Sequence, residues 1–148
     1  RRRQRQMCIR DREYTDPDLR DGRVEDSKLM WILGNYSRFI RPGAVRMSIR
    51  ATDEKGQTIP EGDTDPKGLM CSAYRNVDGQ WVMVVINYAD REQNFTFHVN
   101  DSKVKSWQGY RTSDKVGEDL LPIDKLKKKQ LAVIPARSVI TFVSVVND

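Results

Sequence analysis

The spacing of hydrophobic residues changes once along this chain, from a helical period to a strand period, at Pro42-Gly43. Upstream, residues 27–41 place four apolar side chains on one helical stripe, with Ile32 and Phe39 beside it: Leu29, Leu33, Tyr36 and Ile40. Asp26 or Ser27 can cap the first turn, because a short polar side chain accepts a bond from an unpaired amide there. Proline cannot continue a helix and glycine accepts the turn that follows, so the pattern predicts one helix ending before Pro42.

Downstream of Gly43 the apolar residues alternate or form short runs. Val45, Met47 and Ile49 alternate with polar residues, which indicates a half-buried strand. Two strand-like runs, 69–75 and 80–88, flank Asp78-Gly79, a dipeptide that favours a hairpin turn. Residues 81–86 are apolar at every position, so we expect this strand to be central and covered on both faces.

The rest of the chain continues the strand pattern. Phe95, Phe97 and Val99 are expected to point inward while Thr96 and His98 point outward. Further strands are predicted at 104–111, 130–133 and 139–145, with residues 125–129 as a solvated edge and residues 13–25 as a loop. The pattern predicts a mainly β fold: an antiparallel two-sheet β-sandwich of about seven to eight strands, preceded by one amphipathic α-helix.

The predicted helix does not suit a free-standing sandwich. Met30 and Trp31 extend its apolar surface around much of the circumference, and no second predicted helix covers the remaining faces. A helix that is apolar on several sides packs against more than one neighbour. We therefore expect this chain to come from a larger protein.

The net charge of +5 is concentrated at the N-terminus, where residues 1–12 hold six arginines and one aspartate. Residues 7–12 resemble the translation of a transposon-end sequencing adapter, so we interpret residues 1–12 as a non-native tail. The alternative is a genuine basic arm that binds nucleic acid or another anionic partner.

Catalytic and metal-binding residue types are scarce. Of the two cysteines, Cys8 lies in the tail and Cys71 lies in a strand-like run, where a small apolar core residue is expected. His98 is the single histidine. One cysteine and one histidine predict no metal site, no disulfide framework and no cofactor. No apolar run is long enough to span a bilayer, and no membrane span is predicted.

Five ordered blocks carry a family resemblance. They are LGNYSRFIRPG (33–43), GLMCSAYRN (68–76), VVINY (84–88), TSDK (112–115) with EDL behind it (118–120), and IPARSVITF (134–142). From residue 21 to residue 145 the chain resembles the C-terminal part of family 30 glycoside hydrolases. Thr112-Ser113-Asp114 resembles the endo-β-1,6-galactanase/xylanase-like branch of the family more than the glucocerebrosidase branch.

The resemblance implies a division of the chain. Residues 13–41 correspond to the end of a catalytic (β/α)8 barrel, a loop and the last helix, and residues 42–148 correspond to the β-sandwich beside it. Family members are retaining enzymes that use two barrel glutamates. Both correspond to positions upstream of Glu13, so no catalytic residue is expected here. The glutamates present, 13, 25, 54, 61, 92 and 118, are expected to be solvated.

The resemblance also implies partners and a location. The partners are the missing barrel and, through it, a galactan or xylan, with no nucleic acid. The location is extracellular or periplasmic. Tyr14 falls in the loop that lines the cleft and is a candidate for stacking on a sugar.

Trp107 is a second candidate sugar-binding residue, because lysines and Gln108 surround it in the sequence. Trp31 and Trp81 are expected in the core. An exposed Trp107 would suit an alternative function, a free-standing carbohydrate-binding module. The basic-tailed nucleic-acid-binding domain is the second alternative.

Overall fold

A computed structural model describes residues 10–13, 23–52, 57–59 and 68–146. These contain one helix, α1 (Lys28–Ser37), and twelve strands: β1 (Arg10–Glu13), β2 (Arg23–Asp26), β3 (Val45–Met47), β4 (Ala51–Thr52), β5 (Thr58–Ile59), β6 (Leu69–Arg75), β7 (Trp81–Asn87), β8 (Gln93–Phe95), β9 (Val104–Ser113), β10 (Leu121–Lys127), β11 (Ala132–Ile134) and β12 (Ser138–Val146).

A six-stranded antiparallel sheet organises the molecule, with strand order β10-β9-β12-β7-β6-β3. β12 lies between β7 and β9, and its Ile140 is paired with Val85 on one side and Arg111 on the other. Val82–Val85 of β7 are all buried, which confirms the prediction of a central strand covered on both faces. The predicted alternation over residues 95–99 is also confirmed.

The two faces of this sheet are covered differently. One face carries Trp107, Ile140 and Phe142, which pack with Phe97 and with Ile134 of β11. β11 and β8 form a short second ladder on this side. The opposite face carries Val82, Val84 and Val139 and packs against Tyr36, Phe39 and Ile40 at the end of α1. The mainly β fold with one leading helix is therefore confirmed, and the second layer is smaller than the first.

The helix is shorter than the predicted span of 27–41. It begins at Lys28, where the Ser27 hydroxyl accepts a bond from the Met30 amide (3.4 Å). It ends at Ser37, and the chain turns before Pro42. Buried Asn76 holds this exit, since its side chain donates to the Phe39 carbonyl (2.8 Å) and accepts from the Arg41 amide (3.1 Å).

The β6–β7 hairpin turns at Asp78-Gly79, as predicted. Gly79 has φ +85°, a conformation in which glycine carries little strain, and the Asp78 carboxylate accepts a bond from the Gln80 amide (2.9 Å). Lys125 and Lys127 lie on β10, the edge strand of the large sheet, which agrees with the predicted solvated edge.

Within the predicted loop at residues 13–25, the structure has strand at Glu13 and at residues 23–25, whereas residues 14–22 lie outside the described residues. β1 pairs with β2 in an antiparallel ladder in which Glu13 is opposite Arg23 and Arg10 is opposite Asp26. The sequences RDRE and RVED lack the alternating apolar residues by which a strand is detected. This ladder also includes Arg10–Arg12 of the predicted tail.

Candidate docking face and surface groove

The outward side of α1 is apolar. Leu29 is 53% exposed, Ile32 37% and Leu33 42%, and residues three and four positions apart share one side of a helix. These three residues form what we call the outward face of α1. The predicted stripe is therefore divided: Tyr36 and Ile40 pack on the sheet, whereas Leu29 and Leu33 do not. Adjacent exposed apolar side chains mark a surface that another segment or molecule covers.

Asn35 fixes the rotation of α1 on the sheet. It is fully buried, its side-chain amide donates to the Thr112 hydroxyl (2.8 Å), and its side-chain oxygen accepts from the Thr141 hydroxyl (2.9 Å). The Thr112 hydroxyl also accepts a bond from the Leu120 amide (3.1 Å). Because an unpaired buried amide is costly, this network keeps Asn35 toward the sheet and the outward face away from it.

A lysine holds the first turn of α1 to the turn between β9 and β10. The Lys28 ammonium lies 2.6 Å from an Asp119 carboxylate oxygen and 2.6 Å from the Lys115 carbonyl oxygen. A cation at a helix N-terminus is unfavourable for the helix dipole, so these contacts offset that cost. The helix is therefore attached to the sandwich at its start, its middle and its exit.

Glu118 orders the same turn. Its carboxylate accepts bonds from the Ser113 hydroxyl (2.5 Å) and the Arg111 guanidinium (2.6 Å). The Ser113 hydroxyl, followed by Arg111, holds the pKa of Glu118 below its ordinary value. The side chain is 13% exposed, so the prediction that Glu118 is solvated is wrong. The sequence around Glu118 is polar and does not indicate that Ser113 and Arg111 bind its carboxylate.

The structure describes the surroundings of only some of the other glutamates that were predicted to be solvated. Glu92 is exposed. Glu13 and Glu25 lie in β1 and β2, whereas positions 54 and 61 lie outside the described residues. In the described part of the chain, no three His, Cys, Asp or Glu side chains are grouped so that they could hold a metal ion.

An open groove of about 580 Å³ lies beside the β6–β7 hairpin. The Trp81 indole packs against the core, donates to an Asp101 carboxylate oxygen (2.9 Å) and has the Arg75 guanidinium 5.3 Å above its ring. The Trp81 bond, and then the Lys103 amide, hold the pKa of Asp101 below its ordinary value. The lining combines three valines of β12 with the polar side chains of Arg75, Gln80, Asp101, Lys103, Gln108 and Tyr110.

Of the two candidate sugar-binding residues, Trp107 is among the described residues. Trp107 is 1% exposed and meets Phe97 edge-on, with ring centroids 4.9 Å apart. Trp107 was a candidate because its sequence neighbours are polar, but the side chain lies on the core side of β9 and presents no face to a sugar. Tyr14 lies outside the described residues. Trp31 is half-buried, and its indole donates to Asp26 (2.8 Å).

None of the helices in the described ranges has the length and apolar character needed to cross a membrane. The fold and these surfaces define a mainly β, sandwich-type domain that presents a leading helix with one uncovered apolar face. The model of the glycosyl hydrolase family 30 β-sandwich domain matches residues 43–142. The chain belongs to this family.

Solved structures agree with this assignment. A family 30 endoxylanase from Clostridium papyrosolvens is 24% identical with a TM-score of 0.61, and the match covers 80% of this chain and 28% of that one. The catalytic domain of family 30 xylanase C from Talaromyces cellulolyticus is 26% identical with a TM-score of 0.62, covering 83% and 25%. A conserved exported protein from Bacteroides fragilis is 26% identical with a TM-score of 0.63, covering 91% and 26%. The chain thus spans about a quarter of the length of these proteins.

Proposed function

We propose that this chain is the C-terminal part of a secreted, retaining glycoside hydrolase of family 30 that acts on a plant-type polysaccharide, galactan or xylan. In this proposal residues 13–41 end the catalytic (β/α)8 barrel, α1 is its last helix, residues 42–148 are the sandwich, and residues 1–12 are a non-native tail. The supporting observation is the outward face of α1, which lies ten residues or more upstream of the family match that begins at residue 43.

A barrel helix has two sets of neighbours. One side packs on the barrel strands and adjacent helices, and in an enzyme with a side domain the other side meets that domain. α1 has this two-sided character: Asn35 and Tyr36 contact the sheet, whereas Leu29 and Leu33 lie in solvent. The apolar outward face supports the barrel as the missing partner.

The role proposed for the sandwich is mechanical. It holds α1 through Lys28, Asn35 and Asn76, and so braces the segment that closes the barrel. The proposed chemistry, a glutamate nucleophile and a glutamate acid/base, belongs to the barrel and lies upstream of Glu13. This chain alone is expected to hydrolyse no glycoside.

The proposed substrate and location rest on the relatives. Two of the similar structures are named as xylanases and one as an exported protein, which supports a polysaccharide substrate reached through the barrel and an extracellular or periplasmic location. A free-standing carbohydrate-binding module acting through Trp107 has lost its support because that indole is buried.

The test uses the full-length protein encoded by the source gene. Leu33→Asp is expected to lower the temperature at which xylan- or galactan-hydrolysing activity is lost, because it removes a contact worth about 2 kcal/mol or more from the barrel interface. Val45→Asp changes a residue that is 61% exposed on β3 and serves as the control. Equal effects of the two substitutions, or hydrolysis by this chain alone, would contradict the proposal.

A further inference from the structure

Six lysines gather at one corner of the large sheet. Two flank the start of β9, and the others lie in β10 and in the turn after it. The two segments are adjacent because the Lys128 amide donates to the Lys105 carbonyl (3.2 Å). We call this group the basic edge: Lys103, Lys105, Lys125, Lys127, Lys128 and Lys129.

Protection of an exposed strand accounts for only part of the basic edge. Lysines on an edge strand prevent pairing with another chain, and Lys125 and Lys127 on β10 have that position. Lys103 and Lys105 do not have that position, because Lys103 precedes β9 and Lys105 lies in β9, which is flanked by β10 and β12. Their placement beside the β10 lysines concentrates charge beyond what edge protection requires.

The charge of the basic edge is largely uncompensated. Across residues 10–13, 23–52, 57–59 and 68–146, no ion pair within 4.0 Å joins any of these lysines to an acidic side chain. The Lys128 ammonium donates to the Asp101 carbonyl oxygen, not to a carboxylate. The Asp101 carboxylate is engaged by the Trp81 indole and the Lys103 amide. Two carboxylates lie near these lysines, that of Asp124 on β10 and that of Asp101, whose pKa is lowered by the Trp81 bond and also by the charge of Lys103. The six lysines outnumber them, and an excess of clustered cations creates a local positive potential that attracts an anionic ligand.

We propose that the basic edge binds a polysaccharide that carries carboxylate groups, a polyuronate-type chain. The lysines are spread over two turns and an edge strand and do not enclose a pocket, which suits a polymer and not a small anion. Lys103 also lines the open groove, where the Gln108 side chain and the Tyr110 hydroxyl offer hydrogen-bonding groups for sugar hydroxyls. The choice of a sugar polymer rests on the proposed function.

Nucleic acid is the less favoured occupant. Single-stranded nucleic acids are held by exposed aromatic side chains interleaved with basic residues, on which the bases stack. The aromatic residue nearest in sequence to these lysines, Trp107, is buried in the core. The six members of the basic edge are lysines, which lack the planar fork with which arginine holds phosphate. Arg75, in the adjoining groove, lies over the Trp81 ring.

The experiment measures binding of the intact chain to polygalacturonate, to neutral linear galactan and to a single-stranded DNA oligonucleotide. Three matched variants each remove three positive charges. The edge variant is Lys105→Gln, Lys127→Gln and Lys129→Gln. The surface control is Arg46→Gln, Arg50→Gln and Arg91→Gln, all exposed residues away from the basic edge. The tail control is Arg1→Gln, Arg2→Gln and Arg3→Gln.

We expect polygalacturonate binding that weakens steeply between about 50 and about 200 mM salt and falls about tenfold in the edge variant alone, because each lost cation removes one counterion-releasing contact. Neutral galactan is expected to bind more weakly and to be insensitive to the edge variant. An equal loss of polygalacturonate affinity in all three variants, or no loss of affinity in the edge variant, would overturn the proposal. Tighter binding of DNA that is lost in the edge variant would replace the polysaccharide with nucleic acid. Each result is independent of the proposed barrel, because no measurement uses hydrolysis.

Discussion

Three buried asparagines connect the parts of this molecule. Asn35 joins α1 to the sheet and Asn76 holds the helix exit. The Asn87 side-chain nitrogen lies 2.8 to 3.1 Å from the carbonyl oxygens of Arg91, Ile134 and Pro135, which share its two N–H donors. Each asparagine lies in a different block of the family resemblance: LGNYSRFIRPG, GLMCSAYRN and VVINY. An amide can donate and accept at once, so a single side chain can satisfy backbone groups of several segments. The blocks therefore contain residues that join segments, beside their apolar core residues.

Replacing Asn35 is expected to destabilise the protein. Asn35→Ala leaves the Thr112 and Thr141 hydroxyls with fewer partners in a buried site, and we expect a loss of about 2 to 3 kcal/mol in the free energy of unfolding. Urea unfolding measures it. Ser37→Ala changes an exposed residue of the same helix and serves as the control, with an expected effect below about 0.5 kcal/mol. An Asn35→Ala effect as small as the control would refute the joining role.

Gly68 and Gly79 form a matched pair for separating backbone strain from steric contact. Both have positive φ, +90° and +85°, but a Cβ on Gly68 would lie 2.9 Å from the Ala89 Cβ and 3.2 Å from its amide nitrogen. A Cβ on Gly79 would meet nothing within 4 Å. We expect Gly79→Ala to cost about 1 kcal/mol, the strain alone, and Gly68→Ala to cost clearly more. Equal costs in thermal unfolding would mean that the Ala89 contact relaxes freely.

At the scale of elements, the turn between β9 and β10 links the helix start to the sheet. Arg111 and Ser113 of β9 bind Glu118, and Asp119 binds Lys28 of α1. The carboxylate is partly removed from water and its partners favour the ionised form, so the turn depends on pH.

The pH dependence has a definite sign. The pKa of Glu118 is lower in the folded protein than its reference value of 4.5. The ionised Glu118 carboxylate therefore stabilises the folded protein above that value, and this stabilisation is lost as the pH falls through the lowered pKa. Glu118→Gln is expected to cost about 2 kcal/mol near neutral pH, and the difference from the native chain should narrow as the pH falls to about 3. Urea unfolding across this range tests it, with the exposed Asp114→Asn as control. A constant difference would contradict the assignment.

Element types followed from the sequence where apolar residues were regularly spaced. The runs at β6, β7 and β12 and the Asp78-Gly79 turn predicted the strands and hairpin that the structure has. The burial of Trp107 and the partners of Glu118 could not be predicted, because both residues lie among polar neighbours in the sequence and their environment depends on the partner strand and turn. The exit of α1 was misplaced because Asn76, distant in sequence, binds Phe39 and Arg41.

At the scale of the whole molecule, α1 divides the surface into a covered side and an uncovered one. The exposed apolar residues Val77 and Val116 lie in separate turns, whereas Leu29, Ile32 and Leu33 lie together on one helix. The proposed barrel would bury the outward face of α1 and leave Val77 and Val116 in solvent.

The outward face should make this chain self-associate. We expect the combined change Leu29→Gln, Ile32→Gln and Leu33→Gln to reduce both concentration-dependent association and binding of a hydrophobic dye, because it removes the adjacent apolar side chains. Sedimentation velocity and dye fluorescence measure these effects. Val77→Gln with Val116→Gln, two exposed turn residues, is the control and should change neither. Unchanged self-association and dye binding in the triple variant would show that the chain does not associate through the outward face.

The most direct measurement is the DNA sequence of the source gene upstream of the codon for Glu13. The proposal predicts an open reading frame that continues for a few hundred residues of alternating strand and helix patterns, with glutamates at the ends of two strands, and without the RRRQRQ sequence. A start codon close to Glu13, with RRRQRQ encoded in the genome, would contradict the proposal that α1 is the last helix of a catalytic barrel.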